Sequence, residues 1–143
     1  MSRITPSPAP TSAADKALLF LRLFVGALLF TEAITKSQQY PWLEQEYPTI
    51  LGIEGAAIVT IVGILEVVAG VLLSVGLLTR ATAALMAVAM FTAAFFLFPH
   101  QTFAQGELKF VYAGIYVTLA IGGGGRYALD EILLPVLRSA RRT

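Results

Sequence analysis

The sequence predicts an all-α integral membrane protein: a four-transmembrane-helix antiparallel bundle followed by an amphipathic helix on the membrane surface. Three observations carry that fold class. Hydrophobic residues make up 57% of the 143 and charged residues only 13%, against roughly 25% in ordinary soluble domains. A domain of this size buries too small a share of its surface to hide so much apolar area from water. The apolar residues also fall in runs long enough to cross a ~30 Å hydrocarbon layer. Finally, the basic residues cluster on one side of those runs. The length suits a single domain.

Residues 1–15, with Pro6, Pro8 and Pro10 among Ser, Thr and Ala, lack apolar periodicity and predict a disordered cytoplasmic tail. The membrane domain is expected over 16–126. Its first span runs from Ala17 to Thr35 between Lys16 and Lys36. No small-x-small cleavage pattern follows it, so it reads as a retained helix and not as a signal peptide. A polar, aromatic connector from Ser37 to Gly52 carries Tyr40, Trp42 and Tyr47, residue types that favour the headgroup level.

The second span is expected from Ile53 to Leu78, with Thr79–Arg80 as a short link to a third span at Ala81–Phe98. Pro99 ends that span. A loop from His100 to Gly106 leads to a fourth, Glu107–Ile121, and Gly122–Gly125 breaks the helix. Residues 127–143 place Leu129, Ile132, Leu133, Val136 and Leu137 on one stripe, predicting the amphipathic surface helix and a basic tail. The side holding both termini carries Arg3, Lys16, Arg80, Arg126, Arg138, Arg141 and Arg142, and the opposite side carries Lys36 and Lys109. The positive-inside rule therefore places both termini in the cytoplasm of a multi-pass inner-membrane protein.

Charged groups inside a span are costly and mark functional or packing sites. Glu66 is the clearest: it sits near the bilayer midplane and shares a helix face with Gly63 and Gly70, where another helix packs closely. It is expected to be buried and mostly protonated, either handling protons or bonded to Tyr112 or Tyr116. Arg22 is expected to snorkel to the inner headgroups, because its lean toward the helix N-terminus argues against pairing with Glu66. At the outer surface Glu32, Lys36, Glu54, His100, Glu107 and Lys109 converge by depth, with Glu32 and Lys36 paired at i, i+4. Glu66, His100 and Glu107 are the catalytic candidates. Arg80 and Arg126 are expected to meet Asp130 at the cytoplasmic surface.

The absence of cysteine excludes disulfide chemistry, thiol relays and cysteine-ligated metals within this chain. A single histidine excludes bis-histidine haem ligation. No metal site, intrinsic cofactor or nucleic-acid partner is expected; the bilayer and a membrane protein partner, or a second copy of the chain, are.

The run Glu66, Gly70, Leu73, Gly76, Leu77, Leu78, Thr79 and Arg80 resembles the DoxX family of small bacterial membrane proteins. So do Arg22, Gly26 and Lys36 in the first span, Gly106–Glu107, and the ending Gly123, Gly125, Arg126, Tyr127, Leu129 and Asp130. The ending departs from the family pattern in having Gly124 for a proline and Ala128 for a serine. Glu32–Ala33 stands where a His-Gly pair is common. The resemblance implies a four-helix membrane bundle and, for some members, association with quinone-linked redox complexes. It leaves three functions open: a redox-associated accessory subunit near a quinone, a purely structural membrane anchor, and a small proton-coupled transporter using Glu66. The first is preferred; the third is lowered because no span is interrupted by a mid-span proline as in many transporters.

Overall fold

The computed structural model describes residues 12–47, 49–97 and 103–131. Helices joined by short turns make up these residues, with no strand among them. Helix α1 spans Ala13–Gln38. It starts inside the stretch expected to be a disordered tail because Ser12 and Asp15 form a reciprocal cap. The Asp15 amide donates to Ser12 Oγ at 3.2 Å, and the Ser12 amide donates to Asp15 Oδ2 at 3.0 Å. Residues 1–11 lie outside the described residues.

The connector after α1 is not loop throughout. A short helix α2, Tyr40–Glu46, carries Pro41 in its first turn, where a missing amide costs no intrahelical bond. The Tyr40 hydroxyl donates to the Ala56 carbonyl at 3.2 Å, tying α2 to the start of α3. Helix α3 spans Gly55–Val75, shorter at both ends than the expected Ile53–Leu78. Before it, Ile50 and Ile53 exchange backbone hydrogen bonds of 3.1 and 2.9 Å around Leu51 and Gly52, both at positive φ.

After α3, Gly76 takes φ 74° and the Leu77 amide bonds the Leu72 carbonyl at 2.9 Å. Only glycine enters that left-handed conformation freely, so the helix stops there. The link is thus Gly76–Leu78, and Thr79 and Arg80 open the next helix instead of forming the turn. Helix α4 spans Thr79–Thr92 and runs into a π-helical turn, Ala93–Leu97. Helix α5, Phe103–Gly122, begins ahead of the expected Glu107. The break at Gly122–Gly125 is present, with Gly123 and Gly125 at φ 72° and 68°. Most of the expected surface helix, residues 132–143, and the start of the third loop with His100 lie outside the described residues.

Three helical stretches are long and apolar enough to cross a membrane: Ala13–Gln38, Gly55–Val75 and Thr79–Phe96. Helix α5 is 20 residues long and packs along α4, as α1 packs along α3. The two pairs join through Val25, Leu29, Leu73, Met86, Tyr116 and Leu119, all buried. Phe20, Ile64 and Val88 are each more than 60% exposed, an outward apolar surface that suits lipid and not water.

Gly26 and Gly70 set the register of α1 on α3. A Cβ at Gly26 would lie 3.1 Å from the Gly70 carbonyl oxygen and would collide with Ser74 Oγ. The serine side chain can rotate away, but the backbone carbonyl cannot. Gly26→Val is therefore expected to pry the pair apart and cost about 1–3 kcal/mol. A lowered thermal midpoint in detergent checks this; an unchanged midpoint would show that the close approach is dispensable.

Candidate functional site

Two polar layers are buried in the bundle, separated by an apolar one. The outer layer centres on Glu66, only 3% exposed. Its partner is Lys36: Nζ donates to Glu66 Oε1 at 2.6 Å and reaches Glu32 Oε2 at 3.4 Å. The i, i+4 pair expected on α1 is present, but the lysine is shared with a carboxylate on α3. The partner of Glu66 is therefore not Tyr112 or Tyr116, the neighbours expected, since neither tyrosine hydrogen-bonds to it. Their rings stack on each other at 6.3 Å. The geometry is what helix direction dictates. Side chains lean toward the N-terminus of their helix, so on antiparallel helices Lys36 and Glu66 lean toward each other.

One oxygen of Glu66, Oε2, and the Tyr116 hydroxyl are buried without a hydrogen-bond partner. Both line a cavity of about 630 Å³ enclosed by α1, α3, α4, α5 and the 47–53 turn. Much of its remaining wall is aliphatic, including Ile61, Leu85 and Val88. Those three side chains are 53–61% exposed on the outer surface, so the cavity opens sideways between α3 and α4. Glu32 and Lys109 also line it, while Glu54 and Glu107 are exposed and do not. Tyr47 closes the outer end, and burial there raises its phenol above the ordinary value against the opposing pull of Lys36.

The inner layer holds Arg22, which is fully buried and so does not snorkel. Nor does it pair with Glu66. Its guanidinium lies against Gly76, where any Cβ would collide with Nη1, and close to Ala128. Nε and Nη1 have no hydrogen-bond partner. Asp130 meets neither Arg80 nor Arg126 as an ion pair. Its carboxylate accepts instead from the Leu78 amide at 2.8 Å and the Thr79 amide at 2.9 Å, while its own amide donates to the Gly76 carbonyl at 3.0 Å. The reason is local: α4 has no side-chain cap of its own, and its exposed amides and helix dipole draw in a carboxylate. Arg80 is exposed, its side chain near Gly123, and the Arg126 amide donates to Asp15 Oδ1 at 3.1 Å.

Lys36 as the partner of Glu66, and Asp130 as the cap of α4, were both missed in the sequence. The glycines facing each other on α1 and α3 gave the register that would have located the first; the second joins segments far apart in the chain and has no local signal.

The DoxX family profile matches residues 17–99. A protein named "Inner membrane protein YqjF" from Escherichia coli is 31% identical over 130 residues, covering 83% of this chain and 93% of that protein. An uncharacterized protein from Haemophilus influenzae is 30% identical over 126 residues, covering 80% and 88%. No solved structure matches the chain. With its apolar helices, and with a family match across most of the chain from the first span to Pro99, this protein belongs to the DoxX family of membrane proteins.

Proposed function

We propose that this chain is a four-span subunit of a bacterial inner-membrane complex that binds a lipid-soluble, quinone-class molecule in the Lys36–Glu66 cavity. In this reading α5 crosses the membrane as the fourth span, both termini face the cytoplasm, and electron exchange involves a protein partner. One observation carries the ligand assignment: a buried acceptor and a buried hydroxyl, Glu66 Oε2 and Tyr116 OH, stand unpartnered at the polar end of a mostly apolar cavity. Buried polar atoms are nearly always satisfied by protein, water or ligand. The volume lies within the range of small-molecule sites, and the opening between α3 and α4 faces the phase in which an isoprenoid tail dissolves.

A quinone-class head, when bound, supplies two-electron redox chemistry coupled to protons. This chain's residues would orient it: Tyr116 donates to or accepts from its oxygen, Glu66 Oε2 accepts from a hydroxyl, and Lys36 holds the carboxylate in place. The test is purification in mild detergent, solvent extraction and assay of bound quinone. About one prenylquinone per chain is expected in the wild type, with loss in Tyr116→Phe and Glu66→Gln variants that remain folded. Extraction of phospholipid alone, or equal quinone in all three proteins, would leave a structural anchor as the better reading.

A further inference from the structure

We infer that Glu66, held as a carboxylate by Lys36, makes the cavity select the reduced, hydroxyl-bearing form of its ligand over the oxidised, carbonyl form. The inference rests on the quinone-class reading above and adds which redox form the site prefers. A quinol and its quinone share ring substituents and tail, and differ chiefly in the hydrogen bonds that their two head oxygens make. Each quinol oxygen donates one hydrogen bond and also accepts, while each quinone oxygen only accepts. The polar atoms of the cavity therefore decide between them.

Glu66 Oε2 is the atom that discriminates. The other oxygen, Oε1, is taken up by Lys36 Nζ at 2.6 Å. That contact anchors the carboxylate and leaves Oε2 buried, unpartnered and on the cavity. A carboxylate oxygen only accepts, so a quinol hydroxyl satisfies it with a charge-assisted hydrogen bond. A quinone carbonyl in the same place sets lone pairs against lone pairs and leaves Oε2 stranded in mostly apolar surroundings, where an unpaired acceptor is costly. The other polar side chains are less selective. Tyr47, Tyr112 and Tyr116 line the wall, and a phenol can turn its hydrogen toward a carbonyl or its lone pairs toward a hydroxyl. Lys36 and Lys109, also on the wall, are donors that suit either oxygen. Glu32 only accepts, but its side chain is 49% exposed and keeps its contact with solvent. Tighter binding of the reduced form raises the two-electron potential of the bound couple, by about 30 mV for each tenfold of preference. The bound quinone is thereby a better electron acceptor than the same molecule free in the bilayer.

The test uses the full chain, depleted of bound ligand by detergent washing, and three probes. These are decylubiquinone, decylubiquinol and the dimethyl ether of that quinol, which keeps the ring and tail but cannot donate. Affinities are measured anaerobically by titration calorimetry, corrected for partition into protein-free micelles. The quinol is expected to bind on the order of 10–100-fold more tightly than the quinone, the range for one buried acceptor left unpaired. The ether should bind no more tightly than the quinone. In a folded Glu66→Gln variant the amide offers a donor as well as an acceptor, so the two redox forms should converge in affinity through weaker quinol binding. Equal affinities for quinol and quinone in the wild type overturn the inference and leave the ligand reading intact. So does an ether as tight as the quinol, or an undiminished preference in Glu66→Gln. A preference for the quinone overturns it as well, by placing a proton on Glu66 Oε2. If none of the three probes binds, the ligand reading falls and the inference falls with it.

Discussion

Lys36→Met is expected to destabilise the protein by about 3–5 kcal/mol, the cost of stripping a buried carboxylate of its ion-pair partner. Glu66 has a side chain 4% exposed, and Lys36 is the one ion-pair partner it has among the described residues. The reverse deletion should be milder. In Glu66→Leu the lysine, 16% exposed, keeps Glu32 at 3.4 Å, so a loss of about 1 kcal/mol is expected, as for a partly solvated pair. The double variant Lys36→Met, Glu66→Leu should recover most of the stability, since apolar replacements of a buried pair are often neutral or better. Unfolding midpoints in detergent by circular dichroism measure all three. A double variant as unstable as Lys36→Met would show that the pair is not what Lys36 contributes. Full stability with lost quinone retention would mark the pair as kept for function.

Asp130→Ala carries the second large effect. It strands two backbone amides, Leu78 and Thr79, that are held at 2.8 and 2.9 Å. Hydrogen bonds to a charged group contribute about 1.5–3 kcal/mol each. Asp130 is only half-buried, so a combined loss of about 2–3 kcal/mol is expected. Asp130→Asn should fall between, because the amide offers one acceptor and turns a donor toward the second backbone amide. Arg80→Ala and Arg126→Ala should change stability by less than about 0.5 kcal/mol, as for surface positions without a named partner. Thermal unfolding of the four variants checks this order, and an Arg80→Ala loss as large as that of Asp130→Ala would restore the surface ion pair in place of the helix cap.

Much of the fold was legible because lipid imposes long uninterrupted apolar runs, and those are visible without any contact information. The spans around Arg22, Glu66 and Met86, the glycine break at 122–125 and the family all followed from such runs and from residues near one another in sequence. Helix ends were less legible. Gly76 stops α3 by its backbone conformation and Ser12 starts α1 by a side-chain cap, and both signals were outweighed by the hydropathy of their neighbours. Helix α2 was hidden because its proline and aromatic residues read equally well as an interfacial loop.

The sequence by itself determined that the chain lives in a membrane, that Glu66 is buried between helices, and that Gly70 lies on a face where another helix packs closely. Each is a matter of solvent preference or steric size, properties a residue carries alone. Only the tertiary structure decided the pairings: Lys36 with Glu66, Asp130 with the amides of α4, Arg22 sealed beneath Gly76, and a lipid-facing cavity ending at Tyr116. Those depend on the axial register and rotation of helices distant in the chain. A shift of a single residue along an α-helix turns a side chain by about 100°, enough to exchange one partner for another while leaving the hydropathy pattern unchanged.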